Sequence, residues 1–368
     1  MSPLLRKRNN ATRFGPLAVL LAAASFTQVA TAVVELPEAS PEALVKQRIG
    51  LTDITIKYHR PLVAGRKVWG GIVPMGEVWR AGANENTTIE VTDAVSVEGQ
   101  ALPKGTYGLH MIPTADAWTV IFSKVATAWG SYTYNQAEDA LRVTVKPQPI
   151  ENEEALEYEF DDVKPDSALV PMKWEKLAVP FRISVSDETT FAKVREYLDR
   201  GHGQWEWDSL AQGAQFALTK KSNLEDALRW SDKSIQLEER FENLSAKADI
   251  LKAMNRADDA RAAWNKAAEK AAGPQLYSYA RQLQSQKRDA EAMEIFPQVA
   301  KRFPDTVFAH LSNARLKSAA GNFDGAIEDV KKAQAASPSD QQKKSLDGLI
   351  ERLKNKQDIN KPAPAPAG

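Results

Sequence analysis

The sequence predicts two domains of different class: an all-β antiparallel sandwich or flattened barrel, followed by an all-α solenoid of helix-turn-helix repeats. Between residues 54 and 185, apolar and polar residues alternate with a period of two, which is typical of strands with one buried face. In the second half, paired alanines recur at intervals typical of stacked helix pairs. They are Ala248 and Ala260, Ala280 and Ala292, and Ala314 and Ala326, with Ala227 preceding them.

Length and composition agree with this division. The 368 residues exceed the usual size of a single domain. Four of the 48 basic residues fall within positions 1–32, where no acidic residue occurs, so the rest of the chain is mildly acidic. Nucleic acid is therefore not expected as a partner, because phosphate neutralisation needs clustered Lys and Arg. The absence of cysteine excludes disulfides and thiolate metal sites.

The first 32 residues have the pattern of a secretory signal peptide. A basic stretch ends at Arg13, a short apolar core covers residues 15–24, and Ala30-Thr31-Ala32 fits the small-x-small cleavage rule. Val33 is the expected mature start. The apolar core is too short to span a bilayer. We therefore expect a periplasmic or secreted protein with no membrane span after cleavage of the signal.

Residues 33–186 are expected to form the β domain, with about nine strands separated by Gly, Pro and Asp turns. Pro180 removes a ladder hydrogen bond, so the last strand is expected at a sheet edge. The six clearest alternating segments begin at Ile54, Tyr107, Leu141, Leu156, Val170 and Leu177.

The helical half begins at Ser186-Asp187, where either residue can cap a helix. That linker helix is expected over residues 187–203, and tetratricopeptide-length repeats over 204–356. Residues 357–368 are rich in Ala and Pro and are expected to form a disordered tail. Solenoids of this kind present a surface to a protein partner.

The stretch from residue 58 to residue 88 obeys neither period and combines Arg, Trp and Gly. Long ordered loops in compact domains are often functional, and Arg with Trp suits an anion, a sugar or a peptide. The alternative is an internal ion-pair network that fixes the loop to the sandwich. The candidate ligand-binding residues, two of which lie beyond this stretch, are Arg60, Arg66, Trp69, Trp79, Arg80, Asn84, Glu85, Lys124 and Trp129.

Several runs of residues resemble the domain-of-unknown-function 2911 family over residues 45–186. They are YHRP at 58–61, GRKVWGG at 65–71, PMGEVWRAGANENTT at 74–88, LPKGTYGL at 102–109, WTVIFSK at 118–124, and Trp129-Gly130. The resemblance implies a domain found in secreted bacterial proteins and no settled activity. His59 stands where a small residue such as Ser is expected. The helical half resembles tetratricopeptide repeats, which implies an interaction surface.

No metal or cofactor is predicted, because no two of the four histidines have ligand spacing and no phosphate or dinucleotide motif occurs. His110 alternates with Leu109 and Met111, which places it on the surface or toward the second sheet. A site built from His59, His110 and Glu85 remains a minor alternative, as does a carboxylate pair of Glu85 with Asp139.

Three functional hypotheses follow. The preferred one is a non-catalytic binding or scaffold protein, in which the β domain binds a small polar or anionic ligand or a peptide and the repeats bind a protein. The second is an envelope hydrolase in which Glu85 is the acid or base and Arg80 stabilises negative charge. The third is a purely structural β domain with functional repeats.

Overall fold

The computed structural model describes residues 36–337 and 339–362, which divide into a β domain and a helical domain. The predicted signal peptide lies outside the described residues, as does the end of the predicted tail. Within the described part of the chain, no helix is long and apolar enough to cross a membrane.

The β domain consists of two antiparallel sheets, which confirms the predicted fold class. The six-stranded sheet has the order β1-β2-β3-β6-β7-β8, and the four-stranded sheet has the order β5-β4-β10-β9. The strands are β1 (Glu42–Ile49), β2 (Thr52–His59), β3 (Thr88–Val91), β4 (Val95–Val97), β5 (Gln100–Leu102), β6 (Gly105–Ile112), β7 (Trp118–Ser123), β8 (Asp139–Val145), β9 (Gln148–Tyr158) and β10 (Ser167–Ser184).

The two sheets share one apolar core, built from the inward positions of the alternating segments. Phe122 on β7 meets Phe181 on β10 edge to face, with ring centroids 5.9 Å apart. Each such fully buried aromatic side chain stabilises the fold by roughly 1.5–3 kcal/mol relative to its exposed state. The alternation of apolar and polar residues along the strands therefore gives each sheet one apolar face, and the two apolar faces pack together to form the sandwich.

The predicted edge position of the last strand is wrong, because β10 lies between β4 and β9. Pro180 falls after the pairing with β9, which ends at Ala178, and before the pairing with β4, which begins at Ile183. The strand thus changes partners at the residue that has no amide hydrogen to donate. Strand β1 escaped prediction because Ile49 is its only fully buried apolar residue, while Ala43 and Val45 are half-buried and Leu44 faces solvent.

In the part of the chain that the structure describes, ten α-helices follow the β domain. They are α1 (Asp187–Arg195), α2 (Trp207–Lys220), α3 (Leu224–Leu237), α4 (Phe241–Ala253), α5 (Ala257–Lys270), α6 (Gly273–Ser285), α7 (Asp289–Arg302), α8 (Val307–Ala319), α9 (Phe323–Ala335) and α10 (Asp340–Lys354). Helices α2 to α9 pack as four consecutive pairs, and α10 covers α9. This arrangement confirms the predicted solenoid of helix pairs.

The recurring alanines lie where helices approach one another closely. Ala227, Ala280, Ala292, Ala314 and Ala326 have no solvent-exposed surface. Their methyl groups let neighbouring backbones pack without a gap, as the spacing predicts.

One junction in the solenoid departs from this pattern, and there Ala260 is only half-buried. Three aromatic rings meet between the second and third pairs: Phe241 on α4, Trp264 on α5 and Tyr279 on α6. Tyr279 lies 5.0 Å from Trp264 and 5.9 Å from Phe241, measured between ring centroids. A cleft of about 260 Å³ lies beside this cluster and is lined by Trp264 and Tyr279 together with Ala260 and Ala248.

Helix α1 joins the two domains. The Ser186 hydroxyl accepts a hydrogen bond from the Thr189 amide at 3.0 Å, which caps the helix. The Lys193 ammonium donates to the Leu51 carbonyl at 2.8 Å and pairs with Asp93 at 2.7 Å. Helix α1 is thereby tied to the β1–β2 turn and to the loop after β3.

The residues after α10 do not start a free tail, in contrast to the expectation for residues 357–368. Ile359 is 2% exposed and packs against α8 and α10. The Arg315 guanidinium donates to the Ile359 carbonyl at 2.8 Å, and the Asn360 amide donates to the Arg315 carbonyl at 2.9 Å. We call residues 358–361 the C-terminal clasp.

Candidate functional site

Two of the nine predicted site residues anchor the aperiodic loop through backbone acceptors. Arg60 donates to the Leu156 carbonyl at 3.0 Å and pairs with Glu157 at 3.1 Å, which ties the start of the loop to β9. Arg66 donates to the carbonyls of Val63 and Leu62 and so closes its own turn. Both guanidinium groups are engaged within the fold.

Trp69 and Trp79 belong to the sandwich core. Trp69 packs edge to face on Trp118 and Trp174, with ring centroids 4.9 and 5.7 Å away. Trp79 stacks on Trp174 at 5.9 Å, and its indole nitrogen donates to the Gly82 carbonyl. Aromatic contacts of this kind each contribute about 0.5–1.5 kcal/mol beyond area burial. These two indoles fasten the loop to the sandwich.

The turn after Arg80 has a left-handed residue and a doubly bonded carbonyl at its centre. Ala81 has a φ of 50°, which L-residues rarely adopt. Its carbonyl accepts hydrogen bonds from Thr87 at 3.1 Å and from Tyr158 at 2.8 Å, both from buried side chains. Asn84 donates to Glu38 and to the Ser40 carbonyl, which fastens the segment before β1. The Trp-Arg-Ala-Gly-Ala-Asn run therefore specifies a rigid turn.

Glu85 faces a histidine rather than Arg80. The His59 Nε2 atom lies 3.4 Å from the Glu85 carboxylate and 3.3 Å from that of Glu38. The Glu85 side chain is largely exposed, while His59 is buried. Glu85 and Arg80, the two residues of the hydrolase hypothesis, form no ion pair with each other in the described part of the chain.

Arg80 and Trp129 are brought together, although they come from distant parts of the chain. The Arg80 guanidinium carbon lies 5.8 Å from the centroid of the Trp129 ring. Tyr132 stacks nearly parallel to Trp129, with centroids 6.1 Å apart and planes 10° apart. Trp129 is 59% exposed and Tyr132 is 81% exposed. We call Arg80, Trp129 and Tyr132 the aromatic–arginine patch.

Gly130 makes this patch sterically feasible. Its φ is 73°, and a Cβ atom there would lie 3.3 Å from an Arg80 guanidinium nitrogen and 3.2 Å from the Tyr132 ring. A side chain there would require the guanidinium and the ring to shift by a few tenths of an ångström, and the positive φ also favours glycine. Tyr132 was absent from the sequence-based candidates. The spacing Trp129-Gly130-x-Tyr132, with two aromatics flanking a glycine turn, is the signal that could have identified it.

A buried polar network supports the loop that carries the patch. His110 is 3% exposed, so the expectation that it lies on the surface is wrong. Its Nδ1 atom lies 2.9 Å from the Ser131 hydroxyl. Asp139 accepts hydrogen bonds from Tyr134 at 2.7 Å and from Arg142 at 2.5 Å. Burial lowers the pKa of His110 to about 4, partly offset by the nearby charge of Asp139. His110 is therefore neutral at physiological pH.

Lys124 directly follows β7 and is exposed, and its backbone amide donates to the Glu138 carbonyl at 2.9 Å. Within residues 36–337 and 339–362, no group of three or more His, Cys, Asp or Glu side chains is arranged to hold a metal ion. His59 and His110 lie in separate hydrogen-bond networks, the first with Glu38 and Glu85 and the second with Ser131. Asp139 is likewise bound to Tyr134 and Arg142, not to Glu85.

The helical domain contributes a second candidate surface. A groove of about 300 Å³ crosses α2, α4 and α6, the first helices of three successive pairs. Phe241 and Tyr279 line its apolar part, and Glu242 and Asp249 are its acidic residues. The polar uncharged residues along it are Gln215, Ser245, Gln275, Ser278 and Gln282.

The fold and these two surfaces define a two-domain protein in which a β-sandwich carries a solenoid of helix pairs. Residues 40–183 match the model of the family described as protein of unknown function (DUF2911). The match confirms the resemblance found in the sequence for the β domain.

The helical region of the chain is also similar to two solved structures, and the sequence identity is low in both cases. YrrB, described as a TPR protein with an unusual peptide-binding site, is 13% identical, and the match covers 45% of this chain and 86% of YrrB with a TM-score of 0.25. Yeast Tom70 is 16% identical, and the match covers 47% of this chain and 44% of Tom70 with a TM-score of 0.25. No curated protein sequence matches the chain.

Proposed function

We propose that this protein is an exported, non-catalytic binding protein whose helical repeats hold an extended segment of a partner protein. The observation that carries the proposal is the row of amide and hydroxyl side chains along the groove of α2, α4 and α6. Export is supported by the basic, apolar and small-x-small pattern of residues 1–32.

The chemistry of the groove suits a peptide backbone. An extended chain presents unpaired N–H and C=O groups, and a Gln side chain offers both a donor and an acceptor. Gln215, Ser278 and Gln282 are exposed in the groove, and Phe241 and Tyr279 supply an apolar floor for side chains. Concave solenoid surfaces are suited to such extended ligands.

The size of the groove sets the length of the bound segment. Neighbouring helices pack about 8–10 Å apart, so three successive first helices span about 20 Å. An extended chain covers that distance with about six residues at roughly 3.4 Å each. An octapeptide is therefore long enough to fill the groove and short enough to remain unstructured when free.

The test is binding of a fluorescent octapeptide library to the full-length chain, read by fluorescence anisotropy. Ser278→Arg places a long side chain in the groove without disturbing the core, because Ser278 is exposed. Ser345→Arg on α10 is the matched control, since Ser345 is also an exposed helical serine but lies outside the groove. We expect Ser278→Arg to weaken binding at least tenfold, or about 1.4 kcal/mol, and Ser345→Arg to leave it unchanged. Equal binding by both variants, or no octapeptide binding by the wild type, would refute the proposal that the groove binds a peptide.

A second role, binding of a small polar or anionic ligand by the β domain, is favoured by Arg80, which forms no ion pair with any described residue. Among the nine candidate residues, Arg60, Arg66, Trp69, Trp79 and Asn84 are engaged in holding the loop. The ligand is therefore proposed to bind at Arg80 and Trp129, with Tyr132 added.

A further inference from the structure

Arg80 differs from the neighbouring arginines of the β domain because its guanidinium has no hydrogen-bond acceptor among the described residues. Arg60, Arg142 and Arg182 each pair with a carboxylate within 3.1 Å. For Arg80, no hydrogen bond or carboxylate contact is formed with the described residues, and its Nε is buried without a partner. A half-buried guanidinium held in this way retains its charge and its donors for a ligand, and such a group binds carboxylates in a bidentate manner.

The two aromatic rings beside Arg80 are exposed and held in fixed positions. Trp129 and Tyr132 are the most exposed aromatic side chains of the described β domain, yet they stack on each other rather than on the core. The loop that carries these two rings is fixed to β6 by the hydrogen bond between His110 and Ser131. In the orientation that satisfies its neighbours, the Asn86 amide also donates to the Gly130 carbonyl at 2.6 Å. A platform that is already ordered loses little entropy on binding.

The shape of the patch selects among ligands. A bare inorganic anion would use Arg80 but gain nothing from two exposed rings. An aliphatic ligand would gain little, because rings as exposed as those of Trp129 and Tyr132 cover little of a ligand's surface. A pyranose ring has a face of C–H bonds whose partial positive charge is attracted to the negative face of an aromatic ring. A carboxylate on that sugar ring would reach the guanidinium beside Trp129.

We propose, on the basis of the ligand-binding role suggested above for the β domain, that the aromatic–arginine patch binds an acidic sugar, a pyranose ring that carries a carboxylate. The sugar ring packs against the aromatic surface that the mutual stacking of Trp129 and Tyr132 leaves exposed, and the carboxylate accepts hydrogen bonds from Arg80. Gly130 provides the room between guanidinium and ring that this geometry needs.

The test titrates full-length protein with a trimer of galacturonic acid and, as a matched ligand, with the same trimer methylated on its carboxylates. Binding is measured by isothermal titration calorimetry and by the fluorescence of tryptophan. We expect methylation to weaken binding at least about tenfold, because it removes the charge-assisted hydrogen bonds. Arg80→Gln should bind both trimers equally weakly, and Trp129→Ala should bind neither.

Trp205→Ala is the control variant, since Trp205 is an exposed indole of the helical domain at 67% exposure. It should bind as the wild type does. Acetate or phosphate binding as tightly as the acidic trimer would overturn the sugar assignment while leaving the small-anion role intact. Equal affinity for the acidic and methylated trimers would likewise overturn the carboxylate contact. No binding of any of these probes would refute both the sugar assignment and the ligand-binding role.

Discussion

At the scale of single residues, the β domain uses buried polar side chains to set the position of exposed ones. His110 is buried beneath the loop of residues 128–135, with its ring 5.4 Å from that of Tyr134. Its neutral form is favoured because burial penalises the imidazolium. The loop that carries Trp129 and Tyr132 therefore depends on a histidine that must remain unprotonated.

This dependence predicts a loss of stability in mild acid. The folded-state pKa of His110, about 4, is below the ordinary value of 6.5. Between these two values the unfolded chain binds more protons, so stability is full above pH 6.5 and falls as the pH is lowered toward 4. Between pH 7 and pH 5 the expected loss from this group is about 2 kcal/mol.

His110→Asn serves as the comparison, because an amide can keep the hydrogen bond to Ser131 but does not titrate. Thermal unfolding at pH 7 and pH 5 should show a smaller acid-induced drop for His110→Asn than for the wild type. The same drop in both proteins would show that other groups cause the acid sensitivity.

At the scale of elements, the solenoid combines close helix contacts at buried alanines with one junction that is occupied by aromatic rings. Ala292 on α7 and Ala260 on α5 occupy equivalent positions in their pairs. Ala292 has no exposed surface, whereas Ala260 lines the cleft beside Trp264. The same residue type therefore has different environments, and the Phe241–Trp264–Tyr279 cluster lies at the more open of the two positions.

Leucine at these two positions should have opposite consequences. Ala292→Leu overfills a closed contact and should destabilise the helical domain by about 1–3 kcal/mol. Ala260→Leu extends into open space and should be tolerated. The measurement is the thermal midpoint of unfolding, followed by the helical circular dichroism signal. An equal decrease in the midpoint of the two variants would show that the helices at Ala260 are packed as closely as those at Ala292.

The C-terminal clasp is a second element whose contribution can be measured. Ile359→Ala removes a buried side chain and should destabilise the helical domain by roughly 2–5 kcal/mol. Ile72→Ala, which truncates an exposed isoleucine, is the control and should have little effect. Equal thermal midpoints for the two variants would mean that residues 358–361 are not anchored in solution.

The sequence predicted those elements whose signal is local. Alternation identified the strands from Ile54 onward, and the alanine spacing identified the helix pairs, because each pattern reports the burial of one face of its own element. The clasp was missed because Ile359 is a lone apolar residue in a polar, Pro- and Ala-rich segment. The contact of Arg80 with Trp129 joins two distant loops, and no local pattern encodes it. The sequence left open whether residues such as Arg60 and Asn84 fix the loop to the sandwich or bind a ligand, since residue type alone does not distinguish an anchor from a ligand-binding group.

At the scale of the whole molecule, the two domains carry different kinds of surface. The β domain presents a small, rigid patch suited to one ligand group, and the helical domain presents a long groove suited to a segment of chain. Helix α1 joins them, with Lys193 bound to the β domain and Arg195 paired with Asp226 of α3 at 2.6 Å. We thus propose ligand binding and partner binding for separate domains of one chain.

Export predicts a defined mature end. If residues 1–32 are removed as a signal peptide, mass spectrometry of protein recovered from the periplasm or the medium of a bacterial host should find Val33 at the N-terminus. Intact protein that retains Met1 in the cytoplasm would contradict export.

The central claim is that the first helices of the repeats bind an extended partner segment. Hydrogen–deuterium exchange of the full-length chain, with and without the tightest octapeptide of the library, tests this claim most directly. We expect slower exchange in α2, α4 and α6 and unchanged exchange in β1 to β10. Protection confined to the β strands, or to α3, α5 and α7, would contradict it.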